Sequence, residues 1–157
     1  DDNLRGVEAL YRVLDLLNSE LMASPFCNTV TFGTLTEVDL AKQTIFPMAH
    51  FTLESVTHHT NSLSFQITMF NLDIVNISKD VPQNNIYGND NLIYIATNQL
   101  FVINKLISRL KQFNSDETGV QLDGDPASDF VNKKLENMLA GYQTTFILTM
   151  PNDIDKC

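Results

Sequence analysis

The sequence predicts an α+β fold, a two-layer sandwich in which a mixed, mostly antiparallel β-sheet packs against two main helices. Three observations predict it: an apolar stripe of helical period ahead of Ser24, a second from Asn91 to Phe113, and stretches of alternating apolar and polar residues between and after them. Two stripes and one alternating face are best buried when the helices lie on the sheet. The chain has 157 residues and reads as one domain, 1–157. At that length a single core buries roughly 70% of the surface that the unfolded chain exposes.

The first helix is expected over 2–23. Leu4, Val7, Leu10, Tyr11, Leu14, Leu17 and Leu21 recur at spacings of three and four, with Arg5, Glu8, Arg12, Asp15 and Glu20 off the stripe. Asp1 or Asp2 caps it and Ser24-Pro25 ends it. From Val30 the period becomes two. Phe51 and Leu53, then Leu63, Phe65, Ile67 and Met69, alternate with polar residues on either side of Thr57-His58-His59-Thr60-Asn61, which predicts two half-buried strands joined as a hairpin. At Met69-Phe70 the parity changes, and Phe70, Leu72 and Ile74 continue the series. Either a bulge or a change of packing partner along one long strand accounts for that slip.

Ser78 to Gly88 carries loop chemistry. The second helix follows, 91–113, with a stripe of Leu92, Ile95, Ala96, Ile103, Leu106, Leu110 and Phe113. Ile93, Leu100 and Ile107 broaden the stripe, so burial on more than one side is expected. Asn89 or Asp90 is the natural cap, while Arg109 and Lys111 suit the C-terminal end of the dipole. Asn114 to Asp129, with Gly119, Gly124 and Pro126, reads as loop with a short extended piece at Val120 to Leu122. Phe130 to Leu139 fits either a short helix ending at Gly141 or a hairpin bending at Ala140-Gly141. Tyr142 to Met150 is a last strand closed by Pro151.

The formal net charge is −9, with ten Lys and Arg scattered along the chain. Such a balance argues against gripping nucleic acid, which needs clustered cations; it suits either solubility or a wall that lets phosphates pass. Charged residues make up 18% of the chain, and Asn, Gln, Ser and Thr supply the remaining polarity, a composition that also suits a partly polar subunit interface. Cys27 and Cys157 are too few for a disulfide framework, so a reducing compartment is the default expectation. No apolar run approaches the ~18 residues of a membrane span, and the opening residues lack the layout of a signal peptide.

No constellation for chemistry emerges, and neither a catalytic residue, a metal site nor a cofactor is predicted. His58 and His59 are adjacent near the hairpin turn, where neighbours point to opposite faces, so they do not share an ion. His50 reads as a satisfied polar residue beside a strand. Glu37 with Asp39, and Asp123 with Asp125, are carboxylate pairs, yet the Asp123-Gly124-Asp125 fragment lacks the downstream Glu of a calcium loop. Cys27 has no nearby base, and the glycines form neither a phosphate-cradling loop nor a nucleophile elbow.

Three groups of residues appear together in order: TFG at Thr31, with Val38-Asp39-Leu40 and Phe46-Pro47-Met48-Ala49-His50 after it; FQITMFNLDIVNISKD from Phe65; and LAGY at Leu139 with TFILTMPND after it. With the long helix between the last two groups, they resemble the tail-terminator, or tail-completion, proteins of tailed bacteriophages. The likeness spans most of Val30 to Cys157, although Tyr142 stands where Trp is more usual in that family.

The resemblance implies a structural virion protein and no enzyme. Its partners would be itself, in a hexamer or stacked hexamers, together with the connector and the tail tube of the phage neck. It would be assembled in the host cytoplasm, with no membrane partner, and DNA would pass through the ring without being specifically bound. Two polar segments tied at both ends to apolar residues, Thr34 to Thr44 and Ser78 to Asn89, are the expected subunit contacts. Within and beside them the candidates are Thr34, Leu35, Glu37, Asp39, Lys42, Phe46, Pro47, Lys79, Asp80, Pro82 and Tyr87. Alternatives are another neck or baseplate ring component, such as a head-closure adaptor, and a small ligand-binding or enzymatic α+β domain.

Overall fold

The computed structural model describes residues 9–33, 46–76, 86, 90–113, 120–132 and 139–151. Among them the elements run α1 (Ala9–Met22), β1 (Thr29–Phe32), β2 (Met48–His58), β3 (Ser62–Ile74), α2 (Leu92–Phe113), β4 (Gln121–Asn132) and β5 (Leu139–Pro151). The strands form one mixed sheet in the order β1-β2-β3-β5-β4. β1 runs parallel to β2 and every other pairing is antiparallel. With both helices packed on this sheet, the chain is of the α+β class that the periodicity predicts.

The described part of α1 buries Val13, Leu17 and Leu21 almost completely, with Leu10 and Leu16 packed beside them. Tyr11 does not belong to that stripe and is 72% exposed. One residue on from Leu10, it is rotated by about 100° around the axis, whereas Val13 returns to the buried side. Ser24 ends the helix by donating its amide to the Leu21 carbonyl at 3.0 Å, and its hydroxyl accepts the Phe26 amide at 3.3 Å.

β2 and β3 form the expected hairpin, closed by the His59 amide on the Ser62 carbonyl at 2.9 Å. β3 then pairs with β5 without interruption, from Ser62 opposite Pro151 to Ile74 opposite Leu139. There is no bulge at Met69-Phe70, so the parity slip has the other cause, a change of packing partner. Phe65, Ile67 and Met69 point to the helices and join the main core. Leu72, with Phe70 and Ile74 beside it, points the opposite way, into a second small core with Phe46, Met48 and Leu139. The irregularity lies in the β2 partner instead, between Leu53 and Ser55.

β4 corrects two expectations. The extended piece expected at Val120 to Leu122 is the start of a strand, residues 123–129 are strand and not loop, and the register with β5 shifts between Asp123 and Ala127. Gly124, at φ 71°, supplies the left-handed turn that this bulge requires. The Gly and Pro that read as loop are thus the chemistry of a bulged edge strand. Phe130 and Leu139 lie on paired antiparallel strands, which favours the hairpin over the helix, yet Ala140 and Gly141 sit inside β5 and form no bend.

α2 starts where expected, with the Asp90 carboxylate accepting the Leu92 amide at 3.1 Å. Its buried face is Ile95, Gln99, Val102, Ile103, Leu106 and Leu110. The broad stripe is not covered on more than one side: Ile93 and Leu100 are each 50% exposed, as is Phe101, and Tyr94 is 60% exposed. Both helices occupy the same face of the sheet, and the residues that broaden the stripe at Ile93 and Leu100 lie on the side of α2 turned away from it. Asn91 ties the helix start to the end of β3, accepting the Asn76 amide at 2.7 Å and donating to the Ile74 carbonyl at 3.0 Å.

Candidate functional site

Of the interface residues proposed from sequence, Thr34, Leu35, Glu37, Asp39, Lys42, Lys79, Asp80, Pro82 and Tyr87 lie outside the described residues. Phe46 and Pro47 are described and are joined by a cis peptide bond. Phe46 is 9% exposed and belongs to the second small core, so its ring is occupied with packing inside the chain itself. The Pro47 carbonyl accepts the Asn28 amide at 2.7 Å, which holds the start of β1 beside β2.

The pairing registers place the polar partners of the alternating pattern on one surface, the sheet face away from the helices. Thr52, Thr68 and Thr145 form one row across β2, β3 and β5, and Thr57, Ser64 and Thr149 another. Thr68 and Thr145 hydroxyls lie 3.1 Å apart, and the row of Ser64 is bonded more extensively. Ser64 and Thr149 hydroxyls lie 2.8 Å apart, Thr149 donates to the Asp123 carboxylate at 2.5 Å, and His59 Nε2 stands 3.0 Å from the Ser64 hydroxyl.

The direction of that chain follows from its end. A carboxylate accepts only, so Thr149 gives its proton to Asp123 and accepts from Ser64. The Ser64 hydroxyl is then committed to Thr149 and accepts from His59, which must carry its proton on Nε2. A serine and a histidine at this distance look like a nucleophile with its base, but the polarity is reversed, since His59 donates where a base would accept. Ser64 is moreover only 6% exposed. What the row can do is fix the hairpin turn to the edge strand β4 across three strands.

His50 lies on the same face and is fully buried. Its Nδ1 is 2.6 Å from the Thr31 hydroxyl and its Nε2 is 3.0 Å from the Gly33 carbonyl, which also accepts from the Thr52 hydroxyl at 3.0 Å. The carbonyl needs a donor, so the Nε2–H tautomer is the one that satisfies both contacts. This is the structural histidine expected from sequence, and it fastens β2 to the end of β1. Cys27 is buried as well, and loss of solvent pushes its thiol up to about 11, outweighing backbone contacts at Ala49 and Thr29. Such a thiol is a poor nucleophile at neutral pH.

Among the described residues, no group of three or more His, Cys, Asp and Glu is placed to hold a metal ion. No helix among them is long and apolar enough to cross a membrane. One hollow opens between α1 and β1, with a volume of about 190 Å³, lined by Leu14, Asp15, Asn18, Val30, Thr31, Phe32 and Phe51. Sequence reasoning missed it because the lining comes from a helix and from two strands brought together only by the parallel β1–β2 pairing. It missed the Ser64–Thr149 contact for the same reason, although the alternate hydroxyl positions of β3 and β5 were visible. No protein-family model matches this chain, and no curated protein matches it.

Proposed function

We propose that this chain is a structural ring protein of the tailed-phage neck, a tail terminator that caps the tail tube and joins it to the connector while leaving a passage for DNA. The observation that carries the reading is where the resembling segments lie. The TF of the first group is in β1, Met48-Ala49-His50 opens β2, FQITMFNLDI is β3, and LAGY with TFILTMP is β5, so the likeness follows four strands that are neighbours in one sheet. A ring subunit needs a stiff plate that holds its contact surfaces at fixed angles, and a sheet braced by helices on one face supplies that. The net charge of −9 supports it further, because a passage for DNA works best when its walls do not hold phosphate.

Electron microscopy of particles made with and without the chain tests the reading. With it, a ring at the head-proximal end of each tail and joined heads are expected; without it, unjoined heads and tails of uneven length. Absence of the chain from purified virions would overturn the proposal. Labelling of Ser64 by a fluorophosphonate probe would overturn it in favour of a hydrolase, and the hydrogen-bond polarity at Ser64 predicts that no labelling occurs.

A further inference from the structure

Two features on different parts of the surface, one apolar and one with a mixed lining, are shaped to meet each other. One is convex: Phe101, Leu100, Ile93 and Tyr94 project from the outer side of α2, each at least half exposed. Phe101 is braced rather than loose, since the Phe26 ring meets it edge-on at 5.8 Å between centroids. The other is concave, the hollow of about 190 Å³ between α1 and β1. Its floor and walls include Leu14, Val30, Phe32 and Phe51, and Phe32 is itself 48% exposed at the rim. An apolar cavity of ~150 Å³ is enough to hold a benzene ring. The hollow is open on one side and is lined also by Asp15, Asn18 and Thr31, and by volume it has room for one aromatic side chain.

Charge gives the pairing a direction. Asp15 lies on the hollow's lining, and Lys105 follows Phe101 by one helical turn; both are exposed. A copy that seats Phe101 between α1 and β1 of its neighbour can bring its Lys105 to the neighbour's Asp15. We propose that α2 of one copy docks in the α1–β1 hollow of the next, with Phe101 as the anchor and Lys105–Asp15 as the flanking ion pair. The contact is heterologous, joining two different surfaces of the same chain, so it propagates from copy to copy and closes a ring if the rotation allows. A buried aromatic anchor with a charged pair at its rim is also the usual distribution of energy in a protein interface. The proposal deepens the ring reading by naming a contact, and rests on that reading only for closure.

The test is association in solution, by analytical ultracentrifugation with negative-stain imaging. The parent chain is expected to associate as its concentration rises. Phe101→Asp, which removes the anchor, and Asn18→Trp, which fills the hollow, are each expected to weaken association at least tenfold. Mixed together they should form heterodimers and stop there, because Asn18→Trp keeps its anchor and Phe101→Asp keeps its hollow. Lys105→Asp and Asp15→Lys should each weaken association, and the doubly exchanged chain should recover it; this pair carries the test if Phe101→Asp does not fold.

A parent chain that stays monomeric up to about 1 mM overturns the contact, that being weaker than a specific interface of ordinary size. So does association that ignores all four substitutions, or a mixture without heterodimers. Rings that persist in both Phe101→Asp and Asn18→Trp would remove this contact and leave the neck reading standing. Open filaments that both substitutions abolish would keep the contact and count against ring closure.

Discussion

The two faces of the sheet are made by the same strands and held by different forces. Toward the helices β3 presents Phe65, Ile67 and Met69, which pack with Leu17, Leu21, Leu106, Leu110 and Leu148 in the main core. Away from them it presents Ser64, Gln66 and Thr68; the Ser64 and Thr68 hydroxyls bond across to Thr149 and Thr145, and the Gln66 side-chain oxygen accepts from Ser55. The first face is stabilised by removal of apolar area from water, worth about 1.5–3 kcal/mol for each large side chain. The second gains a net of only about 0.5–1.5 kcal/mol per hydrogen bond, because water competes for the same groups. Stability is therefore concentrated on one side of the plate, and the other side is free to vary at small cost.

The contrast fails at one end, where the polar face becomes apolar and Leu72 packs with Met48, Phe46 and Leu139. Gly141 lies in that region, and a Cβ added to it would meet the Asn71 carbonyl oxygen at 1.7 Å. The obstacle is backbone of the paired strand, which cannot yield without opening the β3–β5 ladder. Gly141→Ala should have the largest effect of any single substitution considered, a loss of more than about 4 kcal/mol in denaturant unfolding, or no folded protein. A loss under 1 kcal/mol, by the same measurement, would mean that the two strands separate here at little cost.

Adjacent residues on β3 test the two faces directly. Ile67 is fully buried on the helix side and Thr68 is 4% exposed on the other, so burial alone does not distinguish them. Ile67→Ala should cost about 2–5 kcal/mol through the lost side chain and the cavity left behind. Thr68→Val keeps the shape and removes only the contact to Thr145, so the loss should stay within about 0.5–1.5 kcal/mol. Equal losses in urea unfolding would abolish the distinction between the faces.

Asn71 is the exception on the apolar side. It is fully buried, and neither its amide nitrogen nor its amide oxygen has a protein hydrogen-bond partner. A buried, unpaired amide costs about 1–3 kcal/mol, so Asn71→Val should stabilise the fold by an amount of that order. A lower denaturation midpoint in the variant would show instead that the amide holds a bound water or a ligand.

These particulars also explain what could be read from sequence. The period-two stretch from Leu63 to Met69 and the stripe from Ile95 to Leu110 were legible because burial of a whole face imposes its repeat on the chain. Asn71 and the outward Leu72 broke the repeat, since the second core lies on the opposite face, and sequence offered two explanations between which only the register could choose. Gly124-Asp125-Pro126 misled for a different reason: a bulge in an edge strand and a loop demand the same residues. The row from His59 to Asp123 was invisible because Ser64 and Thr149 are 85 positions apart and meet only through the β3–β5 register. The hollow that receives Phe101 in our proposal depends on tertiary placement of α1 over β1, which no local pattern encodes.

The smallest effect expected comes from Asp73, a carboxylate whose ionisation the apolar side resists. Asp73 lies on the helix side of β3 opposite Ala140, and burial raises its pKa above the ordinary carboxylate value, with the Ile74 amide at 2.8 Å opposing the shift. A group whose folded-state pKa exceeds the unfolded one favours folding while protonated, and that benefit is lost as pH rises through the folded-state value. At neutral pH the buried charge is therefore a cost. Asp73→Asn keeps an acceptor for Ile74 and removes the charge, so the variant should melt higher than the parent at pH 7. The gain should shrink as pH falls from the raised folded-state value toward the ordinary carboxylate value, and vanish below it, where the parent is neutral in both states. Asp129→Asn, an equal change of charge at an exposed position on β4, controls for relief of the chain's overall negative charge. A gain at Asp73 no larger than the gain at Asp129, or one that does not change with pH, would show that desolvation on the helix side does not reach the end of β3.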